Sequence, residues 1–171
     1  MISYIVYIIA ILQGRAKPHR TTRFCTAIIT VLAMISLFVQ GSPSALWLSI
    51  VFSVGSLIIF ILSIWRGMGG WAKEDIFCLV ISILGIIFWK STSNPVYGLA
   101  FFIGADFVGQ IPMLIKTYRL PKTEVWMFYF LDVVAAVCTI FAAPQWTIQE
   151  LLYPLYVIAL DSTIIYFIVR L

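Results

Sequence analysis

The chain has 171 residues, of which 63% are hydrophobic and 11% are charged, whereas a soluble domain carries about 25% charged residues. This composition excludes a water-soluble domain and predicts an integral membrane protein, because too few polar groups are present to cover a surface that faces water. The net charge of +4 does not point to nucleic acid, since basic residues of membrane proteins collect in loops on one side. Lipid admits only helical bundles and closed barrels, and the long apolar stretches without alternation favour helices.

Seven apolar segments, separated by short polar breaks, predict seven membrane-spanning helices. They cover residues 1–14, 24–40, 45–65, 76–90, 96–116, 125–143 and 150–170. A helix needs about 20 residues to cross the hydrocarbon, and the first segment is short, so it is either a truncated or a half span. Pro43 and Pro95 lie where the third and fifth helices should begin, because proline at the first helical position loses no hydrogen bond.

The distribution of basic residues predicts the orientation in the membrane. Ten of the eleven Lys and Arg residues follow odd-numbered spans, and only Lys90 follows an even-numbered one. Because basic loops stay on the cytoplasmic side, we expect the N-terminus outside and the C-terminus in the cytoplasm. The expected location is the plasma (inner) membrane.

The chain also contains an internal repeat. A shift of 103 residues lays 8–23 over 111–126, with a similar order of apolar and basic residues. Corresponding spans are four crossings apart, so both copies point the same way and form a parallel repeat. One membrane domain is therefore expected to contain a first three-helix copy, a linker helix and a second three-helix copy, in residues 1–66, 67–95 and 96–171.

Residues 109–124 carry the most specific local pattern, in which a proline late in a helix precedes an apolar turn, a basic cluster and Thr123-Glu124. With seven spans and a three-plus-one-plus-three repeat, the chain resembles the PQ-loop/SWEET superfamily of small transporters, whose general architecture PnuC-type transporters share. The resemblance implies an all-α bundle that transports a small solute. Pro112, which removes a helix hydrogen bond, is a predicted hinge, although Met113 replaces the glutamine of the Pro-Gln pair. Thr123 and Glu124 are expected to cap the next helix.

Three aspartates within apolar spans predict a polar site inside the bundle. Asp106, Asp132 and Asp161 each lie roughly 10–17 Å from their helix ends, where no Lys, Arg or His is expected. Placing a charge there is unfavourable by about 2.5–3.5 kcal/mol, so three carboxylates indicate an ion or substrate path. Two roles stay open, a proton relay and a binding site for a cationic or hydroxyl-rich substrate. Hydrogen bonding that only ties helices together is the structural alternative for each one.

Neutral polar residues complete the predicted site. Gln110 lies one helical turn from Asp106 on the same face. The first half of the chain should contribute hydroxyl groups to the same layer, from Ser53, Ser56, Thr26 and Thr30. A hydrogen bond to a backbone carbonyl is the alternative role of each hydroxyl group.

These features together predict a small-solute transporter that works by alternating access, with proton coupling through the carboxylates left open. A receptor that does not transport, or a structural subunit of a larger membrane complex, is the alternative. The sequence has no Ser/His/Asp set, metal-ligand cluster or Gly-rich phosphate loop, so no enzyme, metal or other cofactor is expected. The expected partners are the lipid bilayer and an unidentified small molecule, and formation of a homo-oligomer stays open.

Overall fold

The structure is a computed structural model that describes residues 2–40, 43–70, 72–92, 95–142 and 146–170. These residues form seven α-helices and no β-strand, so the all-α prediction is confirmed. The helices are α1 Ile2–Leu12, α2 Arg20–Gln40, α3 Pro43–Arg66, α4 Lys73–Ser91, α5 Pro95–Arg119, α6 Trp126–Ala142 and α7 Ile148–Val169, with a 3-10 turn at Pro121–Thr123. Helices α3 and α5 begin at the two prolines that the sequence indicated as helix starts.

Among the described residues, one helix is long and apolar enough to cross a membrane, in α7 at Leu151–Val169. Shorter apolar helices of 10–17 residues lie in α1, α3, α4 and α6. Helix α1 has 11 residues, or about 16 Å at 1.5 Å per residue, roughly half of a hydrocarbon layer 30 Å thick. The full count of seven crossings therefore stays a prediction.

The helices pack in a pattern that is nearly the same in the two halves of the chain. Neighbouring helices pair as α2 with α3, α4 with α5 and α6 with α7. Helix α3 also contacts α1, and α7 also contacts α5, while the halves meet through α1 against α6 and α2 against α5. If α1, α2 and α3 are replaced by α5, α6 and α7, and the reverse, each of these pairs becomes another pair that is observed. The pairs that involve α4 are the exception. A parallel duplication would produce this pattern, and the duplication itself stays a prediction.

Helix α4, the expected linker, packs closely against α5 and also against α2. Gly109 of α5 lies at this junction, where an added Cβ would be 3.0 Å from Cys25 Cβ and 3.3 Å from Ser82 Oγ. The Ser82 hydroxyl donates a hydrogen bond to the Ala105 carbonyl at 2.9 Å. The small side chain at residue 109 therefore permits the three helices to approach closely.

The loops and adjoining helix ends that carry nine of the eleven Lys and Arg residues meet at one end of the bundle, which we call the basic end. They are the connections between α1 and α2, between α3 and α4, and between α5 and α6. The Lys17 amide donates to the Thr123 carbonyl at 2.8 Å, and the Met68 amide donates to the Pro18 carbonyl at 3.0 Å. Pro18 and Pro121, which the 103-residue shift superposes, are both buried in these contacts.

A buried carboxylate joins three of the helices at the basic end. Glu124 follows the 3-10 turn, is 5% exposed and pairs through Oε1 with Lys116 Nζ of α5. Its Oε2 accepts hydrogen bonds from Tyr7 Oη of α1 at 2.7 Å and from Tyr129 Oη of α6 at 2.9 Å. These four residues form the Glu124 cluster. The cluster fixes α1, α5 and α6 relative to one another, because each helix supplies one donor to the same carboxylate.

The structure corrects the expectation that Thr123 and Glu124 cap helix α6. The Thr123 hydroxyl donates to the Leu120 carbonyl at 2.7 Å, within the 3-10 turn. Helix α6 begins at Trp126, and the Glu124 carboxylate points into the bundle instead of toward the free amides of that helix. Burial beside a lysine and two phenols offers the carboxylate stronger partners than an exposed cap.

We expect Glu124→Ala to lower the free energy of unfolding by about 3–5 kcal/mol, because it leaves the buried Lys116 ammonium without its counterion. Glu124→Gln should have a smaller effect, since the amide oxygen still accepts a hydrogen bond. Thermal or denaturant-induced unfolding of the purified protein in detergent measures both changes. Lys122→Ala replaces an exposed residue of the same turn and is the control. Its free energy of unfolding should stay within about 0.5 kcal/mol of that of the wild type. Equal stability of all variants would contradict the role assigned to the cluster.

His19 links the α1–α2 loop to the beginning of α4. Its Nε2 lies 3.5 Å from Asp75 Oδ1, while Asp75 Oδ2 accepts hydrogen bonds from the amides of Gly70 at 2.9 Å and Ala72 at 3.2 Å. Burial lowers the pKa of His19 below its usual value of 6.5, and the Asp75 carboxylate opposes this shift only in part. The folded protein therefore favours the neutral imidazole.

Stability should rise with pH in the interval between the lowered pKa of folded His19 and about 6.5, its value in the unfolded chain. In this interval the unfolded chain binds a proton that the folded protein does not, so the slope reaches at most about 1.4 kcal/mol per pH unit. Lys116 and Arg23 strengthen the shift in pKa, and Glu124 opposes it. His19→Gln should remove this contribution when unfolding is measured across the interval. A stability difference between wild type and variant that does not change with pH would exclude this titration.

Candidate functional site

A cavity of about 780 Å³ lies between the helices, and the three interior aspartates all contribute to its wall. Asp106 comes from α5, Asp132 from α6 and Asp161 from α7, while α1, α2 and α3 supply the remaining sides. This volume lies within the range of small-molecule binding sites, about 300–1,000 Å³. We call this space the carboxylate cavity. The structure thus brings together the three residues that the sequence singled out.

Asp106 is held by two side chains that also line the cavity. Tyr156 Oη of α7 donates a hydrogen bond to Asp106 Oδ2 at 2.7 Å. Gln110, one turn along α5, forms a second side-chain hydrogen bond with Asp106. Gln110 therefore lies in the wall where the sequence placed it. This carboxylate is oriented by its partners and ties α5 to α7.

The other two carboxylates have fewer partners. Asp132 forms a side-chain hydrogen bond with Ser3 of α1. Asp161 is 8% exposed, and no described residue donates a hydrogen bond to it. Asp106 and Asp132 both interact electrostatically with Asp161. Three acidic side chains are therefore concentrated in this part of the wall, and two of them have few or no hydrogen-bond donors among the described residues.

A buried arginine also lines the carboxylate cavity. Arg23 is 7% exposed, and its guanidinium carbon lies 4.7 Å from the ring centroid of Tyr7 and 5.4 Å from that of Phe128. It interacts electrostatically with each of the three aspartates. The expectation that no basic residue lies near the carboxylates is wrong. The second helix begins at Arg20, earlier than the predicted 24, which brings Arg23 from the loop into the bundle.

Ser53 and Ser56 are buried but do not belong to the described wall of the cavity. Ser53 Oγ donates to the Thr30 carbonyl at 2.8 Å, and Ser56 Oγ lies 3.2 Å from Tyr4 Oη. These serines connect α3 with α2 and α1. Thr26 and Thr30 do line the cavity, although their hydroxyl groups donate to carbonyls of their own helix.

Two tyrosines that α7 contributes to the wall were not identified from the sequence. Tyr153 and Tyr156 lie on either side of Pro154 in α7, and all three line the cavity together with Asp161. Tyr153 is eight residues from Asp161, which places these two near one face of the helix, while Tyr156, five residues from Asp161, lies further around it. A proline within an apolar helix, flanked by tyrosines and followed by an acid, is the signal that could have indicated this face.

Helix α5 continues without interruption through Pro112, which is buried. The proline lies within one turn of Gln110 and between the cavity and the basic end. A proline removes one hydrogen bond of the helix and so weakens it locally, which is the physical basis for the predicted hinge. The hinge itself stays a prediction.

The cavity begins at the basic end and extends toward the opposite end of the bundle. Arg23 lies in the first turn of α2 and Tyr129 in the first turn of α6, and both contribute to the wall. Thr30 and Thr139, also in the wall, lie seven and ten residues further along these helices, or about 10 and 15 Å. Because Tyr129 belongs to the Glu124 cluster as well, this cluster borders the cavity at its basic end.

The arrangement is suited to binding a polar solute or to holding a proton. Carboxylates and phenol groups can bind ammonium or hydroxyl groups, and the aromatic residues of the wall, such as Phe102 and Tyr153, can contact carbon atoms. No group of three or more His, Cys, Asp or Glu side chains is placed to hold a metal ion within the described ranges.

Asp161→Asn is expected to stabilise the empty protein by about 1 kcal/mol. Where Asp161 is ionised, the substitution removes a buried charge that lies near two other carboxyl groups and has no hydrogen-bond donor among the described residues. Thermal unfolding at neutral pH or above, where the carboxylates are most fully charged, measures the change. Asp75→Asn is the matched control and should destabilise, because Asp75 accepts two backbone hydrogen bonds. Destabilisation by Asp161→Asn would show that this carboxylate has a structural role.

Comparisons of the chain with protein-family models, curated proteins and solved structures give no match.

Proposed function

We propose that the protein is a membrane transporter that moves a small solute by alternating access and binds it in the carboxylate cavity. The observation that carries this proposal is the meeting of three interior carboxylates in one cavity of about 780 Å³. Charged groups inside an apolar bundle are unfavourable and usually line an ion or substrate path. A protein with a purely structural role has no need for such a group of charges.

The outer surface of the helices supports a location in lipid. Large apolar side chains are exposed along the bundle, and on α4 they cover much of the helix: Ile76, Phe77, Val80, Ile83, Leu84, Ile87 and Phe88. A soluble monomer rarely exposes apolar surface this extensive. The proposal therefore includes seven crossings of the plasma membrane, with the N-terminus outside and the basic end in the cytoplasm.

The packing of the helices supports alternating access. The groups α1–α3 and α5–α7 contact each other through α1 with α6 and α2 with α5, and residues of both groups line the cavity. The Glu124 cluster holds α1 against α5 and α6 at the basic end. A rocking motion of one group against the other would open that end and close the opposite one.

Transport can be tested with purified protein and proteoliposomes. A thermal-shift panel of sugars, nucleosides, amino acids and vitamins identifies a ligand, whose labelled form is then followed into the vesicles with and without a pH gradient. We expect Asp106→Asn, Asp132→Asn and Asp161→Asn each to reduce uptake at least about tenfold, while the proteins stay folded. Thr163→Ala is the control, because Thr163 is exposed on α7 and its hydroxyl donates to its own helix.

Normal uptake by all three aspartate variants would exclude the cavity as the transport path. Absence of both ligand binding and uptake would favour the alternative, a receptor or a structural subunit of a membrane complex. Uptake that does not respond to the pH gradient would leave the carboxylates a role in binding the solute and exclude proton coupling.

A further inference from the structure

Arg23 is the charged residue of the cavity to which the proposed function gives no role. It lies in the first turn of α2, which contains no acidic residue and where the free amides of the helix already create a positive potential. Its guanidinium is also almost fully removed from solvent. Neither helix stability nor solvation favours a cation at this position. We therefore expect a group with negative charge or hydrogen-bond acceptors to bind it.

The guanidinium has donors that the protein does not satisfy. Of its five N–H groups, one donates to Tyr129 Oη at 3.4 Å, a long distance for a hydrogen bond. The Tyr7 hydroxyl is a second hydrogen-bond partner, and the Glu124 carboxylate interacts with the guanidinium electrostatically. Nε is buried without a hydrogen-bond partner. The rings of Tyr7 and Phe128 cover the guanidinium, and among the described residues no carboxylate forms an ion pair with it. The N–H groups of Arg23 that remain without a partner therefore belong to a residue that lines the cavity.

The carboxylates of the same cavity have the opposite deficiency. Asp161 has no hydrogen-bond donor among the described residues, and Asp132 has only Ser3. Arg23 interacts electrostatically with them at a distance too great for an ion pair. The cavity therefore contains a positive group at its basic end and acidic groups elsewhere in its wall. Neither set has enough partners of opposite charge or hydrogen-bond partners among the described residues.

A solute with one kind of charge would satisfy only one of these regions. A simple cation would be attracted by the aspartates and repelled by Arg23, whose donors would stay unpaired. A simple anion could bind Arg23 but would lie close to three carboxylates. A solute that carries an acidic group and an ammonium group can compensate both regions, and such pairing is strong where water is excluded.

We propose that Arg23 binds the acidic group of the transported solute, and that this solute is a small zwitterion whose ammonium group lies among the three aspartates. This inference rests on the proposed transport function and names the substrate class of the same cavity. A guanidinium suits this role, because its planar set of donors binds a carboxylate or phosphate through two parallel hydrogen bonds.

The experiment compares probes that differ by one charged group. One series consists of phenylalanine, phenethylamine, which lacks the acid, and 3-phenylpropanoate, which lacks the amine. A second series consists of 4-aminobutanoate, butylamine and butanoate. Binding to the full-length protein in detergent is measured by titration calorimetry and thermal shift. In at least one series the zwitterion should bind about 10- to 100-fold more tightly than either truncated probe.

Substitution of Arg23 tests whether this residue recognises the acid. In Arg23→Gln the zwitterion should bind no more tightly than the corresponding amine, whereas binding of the amine itself is unchanged or improved. Arg23→Lys should retain part of the preference, because it keeps the charge without the planar set of donors. Arg15→Gln is the control, since Arg15 is exposed and its side chain donates only to Gln13. If Arg23→Gln does not fold, the wild-type series and Arg23→Lys still decide the result.

Failure of this inference can be distinguished from failure of the proposed function. If amines or neutral polyols bind and are transported in an aspartate-dependent manner, and neither zwitterion binds more tightly than its amine, transport stands and the zwitterion is excluded. An unchanged preference for the zwitterion in Arg23→Gln would exclude Arg23 as the residue that binds the acid. If no solute of the panel or of these series binds or is transported, the transport proposal fails together with this inference.

Discussion

The carboxylate of Glu124 is the constraint on which the arrangement of the basic end depends. A buried carboxylate without partners is strongly unfavourable, so Lys116, Tyr7 and Tyr129 must come together around it. Lys116 and Tyr129 lie on the helices that flank Glu124 in the sequence, α5 and α6, whereas Tyr7 lies on α1, 117 residues away. Arg23 is then positioned indirectly, because it lies against Tyr7 and contacts Tyr129. Interactions at the basic end thus determine where the positive group of the cavity lies.

Polar contacts are distributed unevenly along the bundle, and this bears on the way in which it can move. At the basic end the Glu124 cluster and several backbone hydrogen bonds connect the loops. Around the cavity, the hydrogen bonds between wall side chains of different helices include Tyr156 with Asp106 and Ser3 with Asp132. A state that is open at the basic end must give the cluster's buried groups new partners, for which entering water is suited. Breaking the cluster without replacing its partners would leave the buried Lys116 and Glu124 charges unpaired, which is strongly unfavourable.

The sequence predicted the all-α architecture, the starts of α3 and α5, and the residues Asp106, Asp132 and Asp161 of the cavity, because composition, proline and buried charge are local signals. It did not predict which face of α3 points inward. Ser53 and Ser56 lie on a face that packs against α2 and α1, and only tertiary contacts determine that choice. Arg23 was missed for a related reason. A basic residue next to a loop looks solvated until the helix boundary is known, and boundaries depend on how neighbouring loops pack.

The two halves of the chain share a packing pattern and differ in chemistry. Under the 103-residue shift Asp106 corresponds to Ser3 and Asp132 to Ile29, and all four positions line the cavity. The scaffold thus directs these two pairs of matching positions toward one space, while the aspartates of the wall come only from the second half. In the first half, Arg23 supplies the charge of opposite sign. A duplicated scaffold with identical residues would enclose a symmetric cavity, in which a bound solute has no preferred direction. Unequal residues at matching positions create one oriented site, and an oriented site can recognise the two different ends of a single solute.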